Sequence, residues 1–294
     1  MKSKRDSRGS GRQPTAQKKV ESITAESASC RKKTTIIARK DEIETLREYI
    51  RRRKSLHIHG PEGVGKSALI DYVYRTWDEI GASPIPIYCR DSGTFREILV
   101  NIAEFLLRYG VRLISIDEYK RAQLITRSAD LKTLSTRYLR NMVFPHIKKG
   151  DFCIILDHLE DVTPRINSLL TALHGCSSII TANRQSWDVS DNKSVSGSLA
   201  YDLWLIPKLQ VGNLTKEDAF TFMESLYGSL NMNVTDKLRL FKDIYEISQG
   251  SPKIMKNIFQ KTADPKYLHD GKLNLNLIVI DCRMDEVRMY NKKE

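Results

Sequence analysis

One stretch constrains this chain more than any other: residues 55–70, Ser-Leu-His-Ile-His-Gly-Pro-Glu-Gly-Val-Gly-Lys-Ser-Ala-Leu-Ile. It predicts a short strand, a glycine-rich turn and then a helix. Residues 60–67 fit G-x-x-x-x-G-K-[ST], the pattern of a phosphate-binding loop. Glycines let the backbone curl until successive N–H groups point inward at phosphates. The helix opening near Lys66 adds the positive end of its dipole. Lys66 is then placed to reach the β- and γ-phosphates, and the Ser67 hydroxyl to ligate Mg²⁺. Gly60, Pro61, Glu62, Gly63, Val64, Gly65 and Ala68 complete the cradle. An ordinary glycine-rich turn with an incidental lysine would spell the same letters. Leu56 and Ile58 before the loop, and Ala68, Leu69 and Ile70 after it, favour the phosphate loop.

A second anchor lies downstream. Residues 152–156, Phe-Cys-Ile-Ile-Leu, form a continuous apolar run ending at Asp157. Such a run suits a strand buried on both faces of a parallel sheet. An acid at the end of that strand is where Mg²⁺ is held, directly or through water; a capping or turn aspartate is the plainer account. Hydrolytic members of this class usually place Glu next. Here the following residues are His158, Leu159, Glu160 and Asp161. His158 suits a water-orienting base near neutral pH, or is a non-catalytic substitute. Glu160 stands two residues further along. Asn183 and Arg184 close the next apolar strand, 178–182. There a polar residue can sense a γ-phosphate and an Arg can stabilise its charge; turn preference alone also explains the Asn. Lys253 and Lys256 either face the nucleotide or lie on a solvated helix face.

The other segments alternate between strand and helix. Ile43, Leu46 and Ile50 share one face of a helix before the loop. A helix follows the loop to about Asp78, then a strand at 85–89 and a helix at 94–108. Residues 110–130 give no clear pattern. Residues 131–147 and 166–173 predict helices, and Leu203, Trp204, Leu205 and Ile206 a last sheet strand. Strands alternating with helices imply right-handed crossovers and a parallel sheet. After Leu209 the pattern is helical: Thr215 caps a helix in a box closed by Asp218 rather than Glu, and further helices follow at 234–247 and 252–260. Pro252 suits a helix's first turn. Residues 273–280 alternate and then run apolar, which predicts a strand.

Composition narrows the class. The 294 residues carry a formal charge of +12. Residues 1–40 hold twelve Lys and Arg against three Asp and Glu, so nine of those charges lie there. This leader, poor in large apolar residues, is expected to be disordered alone. It suits sequence-independent contact with nucleic-acid phosphates, or serves only as a solvated leader. No apolar run approaches the roughly 20 residues that span a bilayer. The five cysteines are scattered and form no C-x-x-C pair, which fits a reduced, cytoplasmic protein without structural zinc.

Taken in order, Arg39-Lys-Asp-Glu-Ile-Glu-Thr-Leu, the loop at 60–67, Ile-Ile-Leu-Asp157, Ile-Ile-Thr-Ala-Asn183-Arg184, Leu-Thr-Lys-Glu-Asp-Ala219 and Gly250-Ser-Pro252 resemble the STAND and related AAA+ ATPases over roughly residues 34–262. The resemblance implies an α/β P-loop nucleotide-binding domain of the ASCE type, with a parallel sheet and a small C-terminal helical lid. It implies ATP with Mg²⁺ as ligand, and assembly controlled by nucleotide state. It places Gly250 and Pro252 near the adenine and Arg39 on the nucleotide's other side. The domains expected are a basic leader at 1–33, the ATPase domain at 34–209, the lid at 210–262 and an extension at 263–294. The chain departs from the family at His158, and residues 185–200 contain no Arg for a finger acting on a neighbouring subunit. No long repeat domain follows the lid. A compact, basic chain of this kind is also similar to transposon ATPases and to the origin-recognition type. Two functions are therefore expected to compete. One is an ATP-dependent switch that forms homo-oligomers, on DNA, and recruits or regulates a protein partner such as a transposase. The other is a signalling or defence scaffold with slow hydrolysis and no DNA binding. N-K-x-D, the guanine-reading sequence, is absent.

Overall fold

The structure, a computed structural model, describes residues 38–116, 122–159, 161–187, 199–230, 236–262, 264–269 and 272–291. The elements run α1 (Lys40–Arg51), β1 (Leu56–His59), α2 (Lys66–Arg75), α3 (Trp77–Ile80), β2 (Ile85–Cys89), α4 (Phe95–Arg108), β3 (Leu113–Ile116), β4 (Ala122–Ile125), α5 (Ser128–Thr133) and α6 (Thr136–Ile147). They continue with β5 (Phe152–Leu156), α7 (Pro164–His174), β6 (Ser178–Asn183), α8 (Tyr201–Trp204), β7 (Lys208–Gln210), α9 (Lys216–Leu230), α10 (Lys237–Ser248) and α11 (Pro252–Thr262). The short strands β8 (Leu268–His269) and β9 (Lys272–Leu273) precede α12 (Leu275–Asn291). The described chain falls into two compact units, residues 99–144 and the remainder.

In the larger unit five parallel strands stand in the order β2–β5–β6–β1–β7. Every residue of β5 and β6 is buried, which is why their sequences read as unbroken apolar runs. β6 lies between β1 and β5: Ala182 pairs with Ile58, and Thr181 with Leu156. The ends of these three strands are thus neighbours, and the loops leaving them share one edge of the sheet. Leu46 and Ile50 of α1, Leu69, Ile70 and Val73 of α2, and Trp77 and Ile80 pack with Leu56, Ile58, Ile155, Ile180 and Ala182. Each such leucine or isoleucine contributes roughly 1.5–3 kcal/mol on burial. His57 points the other way. Its Nδ1 meets Thr181 Oγ1 at 2.8 Å, its Nε2 meets the Gln185 carbonyl at 2.8 Å, and its ring stacks on Trp187 at 3.8 Å.

The helices after β7 have a core of their own, in which Leu214, Met223, Phe241, Ile244, Met255, Ile258 and Phe259 meet Ile278 of α12. The Asp218 amide donates to Thr215 Oγ1 at 3.2 Å, and that hydroxyl donates to Asp218 Oδ2 at 2.8 Å. The cap forms with Asp in place of Glu. In the smaller unit, residues 110–130 resolve into the antiparallel pair β3–β4. Leu113 stands opposite Ile125, both buried, and Ile114 stands opposite Leu124, both half-exposed.

Three expectations are corrected. Residues 203–206 do not form the last strand; β7 follows them, and Leu203 lies in the one-turn helix α8. β7 is a three-residue edge strand, only partly buried, so it needs no apolar run. Residues 275–280 open the helix α12 rather than a strand. The single helix expected at 131–147 is broken between Thr133 and Thr136 into α5 and α6.

Candidate functional site

The loop after β1 is shaped by two close approaches. A Cβ on Gly60 would stand 2.1 Å from the Val211 carbonyl oxygen, because Val211 continues the β1–β7 pairing through its amide to His59 O at 2.8 Å. Gly63 adopts φ +81°, and a Cβ there would stand 2.6 Å from the Cβ of Lys253. The Lys253 amide donates to Gly63 O at 3.1 Å, so α11 begins against the loop. α2 starts at Lys66 with no side-chain cap on its first turn, leaving N–H groups open to an anion.

Lys66 folds back over the loop. Its Nζ donates to the carbonyls of Gly60 at 2.7 Å and Pro61 at 2.9 Å. Burial holds its pKa below the ordinary 10.5, Arg184 adds to the lowering, and Asp157 and Glu62 oppose it. Ser67 Oγ stands 3.3 Å from His158 Nε2. Asp157, 3% exposed, accepts from Tyr88 Oη at 3.2 Å and from the His158 amide at 2.9 Å. Burial and the Asp157 charge push the Tyr88 phenol far above its usual value, so it stays a neutral donor. Asn183, 4% exposed, turns the chain after β6: its Oδ1 accepts from the amides of Arg184 at 2.5 Å and Gln185 at 3.4 Å. Glu62 joins two cations, Arg184 at 2.9 Å and Lys253 at 2.8 Å.

These groups wall a cavity of about 420 Å³ that also touches Gly65, Ala68, Leu159 and Ala182. Three cations and a row of loop amides face it, which suits a polyphosphate. The hydroxyl of Ser67 and the buried carboxylate of Asp157 are hard oxygen donors of the kind Mg²⁺ takes. Both hydrogen bonds on Asp157 come from neutral groups, so its buried charge fits a nearby cation. Among the described residues no three His, Cys, Asp or Glu side chains cluster as a metal site, so phosphate oxygens and water would supply most of the remaining ligands. A larger hollow, about 570 Å³, lies beside Asp243, Glu246 and residues 273–276. Its charged lining is acidic, which does not suit an anionic ligand.

The sequence profile of the AAA ATPase domain matches residues 35–183, half of the chain. The chain belongs to this family. Among curated proteins none matches the sequence. Solved structures that share the fold of this AAA ATPase include the following three. ORC1 of Aeropyrum pernix, in complex with DNA, superposes with a TM-score of 0.58 at 15% identity, over 85% of this chain and 66% of that one. Drosophila ORC bound to DNA gives 0.55 at 12% identity, over 96% and 69%. The Walker-type ATPase PABY2304 of Pyrococcus abyssi gives 0.52 at 16% identity, over 90% and 80%. The chain thus spans about two thirds of the origin-recognition chains it resembles.

Of the residues singled out in the sequence, Glu62, Gly63, Gly65, Lys66, Ser67, Ala68, Asp157, His158, Asn183 and Arg184 meet at the cavity. Gly60 and Pro61 offer their carbonyls to Lys66, and Val64 is buried beneath the loop. Arg39 stands behind the loop rather than in the cavity. In a left-handed backbone conformation, it donates to Val64 O at 2.9 Å and Gly212 O at 2.6 Å and pairs with Glu42 at 2.8 Å. Pro252 opens α11 and is not part of the cavity wall. Gly250 is held by the Leu214 amide at 2.9 Å. Glu160 lies outside the described residues, as does the basic leader. Two contributors had no signal that set them apart. Lys253 could not be separated from Lys256 because residues three apart share a helix face. Tyr88 reaches Asp157 only because β2 and β5 are neighbours.

Proposed function

We propose that this AAA ATPase is a molecular switch that binds ATP with Mg²⁺, oligomerises on DNA, and recruits or regulates a partner such as a transposase or another DNA-processing protein. The observation that carries the reading is Lys253, which brings the helical lid to the mouth of the phosphate loop. A ligand in that cavity is bound to act on both sheet and lid. In this reading the loop amides and Lys66 would hold the triphosphate, and Ser67 and Asp157 would hold Mg²⁺, whose charge would offset that of the phosphates. Asn183 and Arg184 face the γ-phosphate, and Arg39 and Pro252 shape the walls behind loop and lid. Hydrolysis is slow, because His158 stands where an acid would polarise the attacking water. The ATPase domain is taken as residues 34–209, the lid as 210–262 and the extension as 263–294.

The basic leader at 1–33 supplies non-specific phosphate contacts. The DNA-bound state of the two origin-recognition structures supports this part of the reading. Calorimetric titration with ATP and Mg²⁺ tests the nucleotide half: unchanged affinity in Lys66→Ala refutes the site. DNA affinity is expected to fall steeply with salt and on deleting residues 1–33. Size-exclusion chromatography with ATP separates the two functions, since assembly by a chain with no DNA affinity favours a signalling scaffold.

A further inference from the structure

His158 is the residue the family reading leaves without a settled role, and its placement is specific. Its backbone is left-handed, φ +54°, a conformation that non-glycine residues adopt chiefly where the surroundings impose it. The amide of that turn is pinned to Asp157 Oδ1 at 2.9 Å. The side chain folds back to the cavity, with Nε2 at 3.3 Å from Ser67 Oγ and 3.9 Å from Asp157 Oδ2. These are the two oxygens assigned to the cation. In an octahedral shell with bonds of about 2.1 Å, neighbouring ligand atoms stand about 3 Å apart. The imidazole nitrogen is therefore near a neighbouring-ligand distance from the hydroxyl, and about 1 Å further than that from the carboxylate. His57, by contrast, is fully buried with both ring nitrogens engaged.

We propose that His158 Nε2 is a third protein ligand of the nucleotide-bound divalent cation and tilts the site from Mg²⁺ toward Mn²⁺ or Co²⁺. The proposal rests on the nucleotide-site reading above. Imidazole is a borderline donor that favours later divalent ions, whereas Mg²⁺ prefers oxygen and keeps its waters. A ring nitrogen bound to the cation has no lone pair with which to take a proton from water. The same contact therefore accounts for slow hydrolysis without a missing base elsewhere.

The test uses the full chain with Mn²⁺ and a non-hydrolysable ATP analogue. Electron spin-echo envelope modulation reads nitrogen bound to Mn²⁺. Wild-type protein is expected to show imidazole ¹⁴N modulation that changes when the histidines carry ¹⁵N, which needs no variant. His158→Asn, chosen because Asn tolerates a left-handed backbone, is expected to lose the modulation. It is also expected to lose roughly tenfold in its preference for Mn²⁺ over Mg²⁺ in calorimetric binding. Bound Mn²⁺–nucleotide without histidine modulation overturns this proposal alone. Failure of Mn²⁺–nucleotide to bind overturns both it and the nucleotide site.

Discussion

Glu62 is the residue whose replacement reports most directly on how the cavity accepts a ligand. It is an anion inside a loop built for anions, and its carboxylate holds Arg184 at 2.9 Å and Lys253 at 2.8 Å. A triphosphate entering the cavity is expected to compete with Glu62 for both cations. The three side chains are 41–55% exposed, so each pair is screened and contributes about 0.5 kcal/mol. Glu62→Gln removes both competitors to the ligand, about 1 kcal/mol together, which corresponds to roughly fivefold tighter ATP binding. The substitution also removes a negative charge beside the phosphates, so the gain should be largest at low ionic strength and shrink toward 0.5 M salt as screening shortens to a few ångströms. Calorimetric titration of ATP with Mg²⁺ at two salt concentrations measures both. Unchanged or weaker binding in Glu62→Gln at low salt would refute the competition. A double-mutant cycle with Lys253→Ala gives a second check, because the gain should fall by about half once one of the two cations is gone.

Lys66 gives a pH prediction. Its pKa lies below 10.5 because burial disfavours the charged form, and the charged form is the one that binds phosphate. ATP affinity should begin to fall at a lower pH than an exposed lysine would give, and Lys66→Arg should remove that alkaline loss. The same shift makes the unliganded protein gain stability as pH rises through the lowered value, which thermal melts across pH 8–11 would show. Gly63→Ala places a methyl 2.6 Å from Lys253 Cβ at φ +81°; a loss of about 1–3 kcal/mol in chemical denaturation is expected, together with weaker ATP binding. Arg39→Ala leaves the carbonyls of Val64 and Gly212 without their guanidinium donor and should cost about 1.5–3 kcal/mol of stability while ATP still binds.

The β5 acid and the β6 terminus were legible because each ends an apolar run of a strand buried on both faces, and the phosphate loop because its glycine and lysine spacing is specific. What was not legible depends on register or on long-range neighbours. β7 carries Lys208 and Gln210, so an edge strand half-open to solvent left no apolar pattern, and the run just before it misled. Around the start of α12, Leu273, Leu275 and Leu277 alternate with Asn274 and Asn276, which mimics a strand's period. The β3–β4 pair shows no turn dipeptide between its strands. Arg39 was placed by resemblance beside the nucleotide. Its carbonyl partners, Val64 and Gly212, are distant in sequence, so the tie it makes between loop and later chain had no local signal.

The lid reaches the loop by two kinds of contact that differ in what they can transmit. The Glu62–Lys253 pair joins exposed flexible side chains, and a ligand can exchange it at small cost. The Lys253 amide on Gly63 O, with Gly63 too close to Lys253 to carry a methyl, joins backbone to backbone. Packed backbones do not deform freely, so any change of loop shape on filling must move the start of α11 or break that bond. Arg39 adds a third tie, through Val64 O and Gly212 O, from the loop to the segment that leads into the lid. Loop shape and lid position are thus one coupled coordinate, and the exchangeable ion pair sets which ligand moves it. In the proposed reading, coupling of this kind would respond to occupancy of the loop more than to turnover.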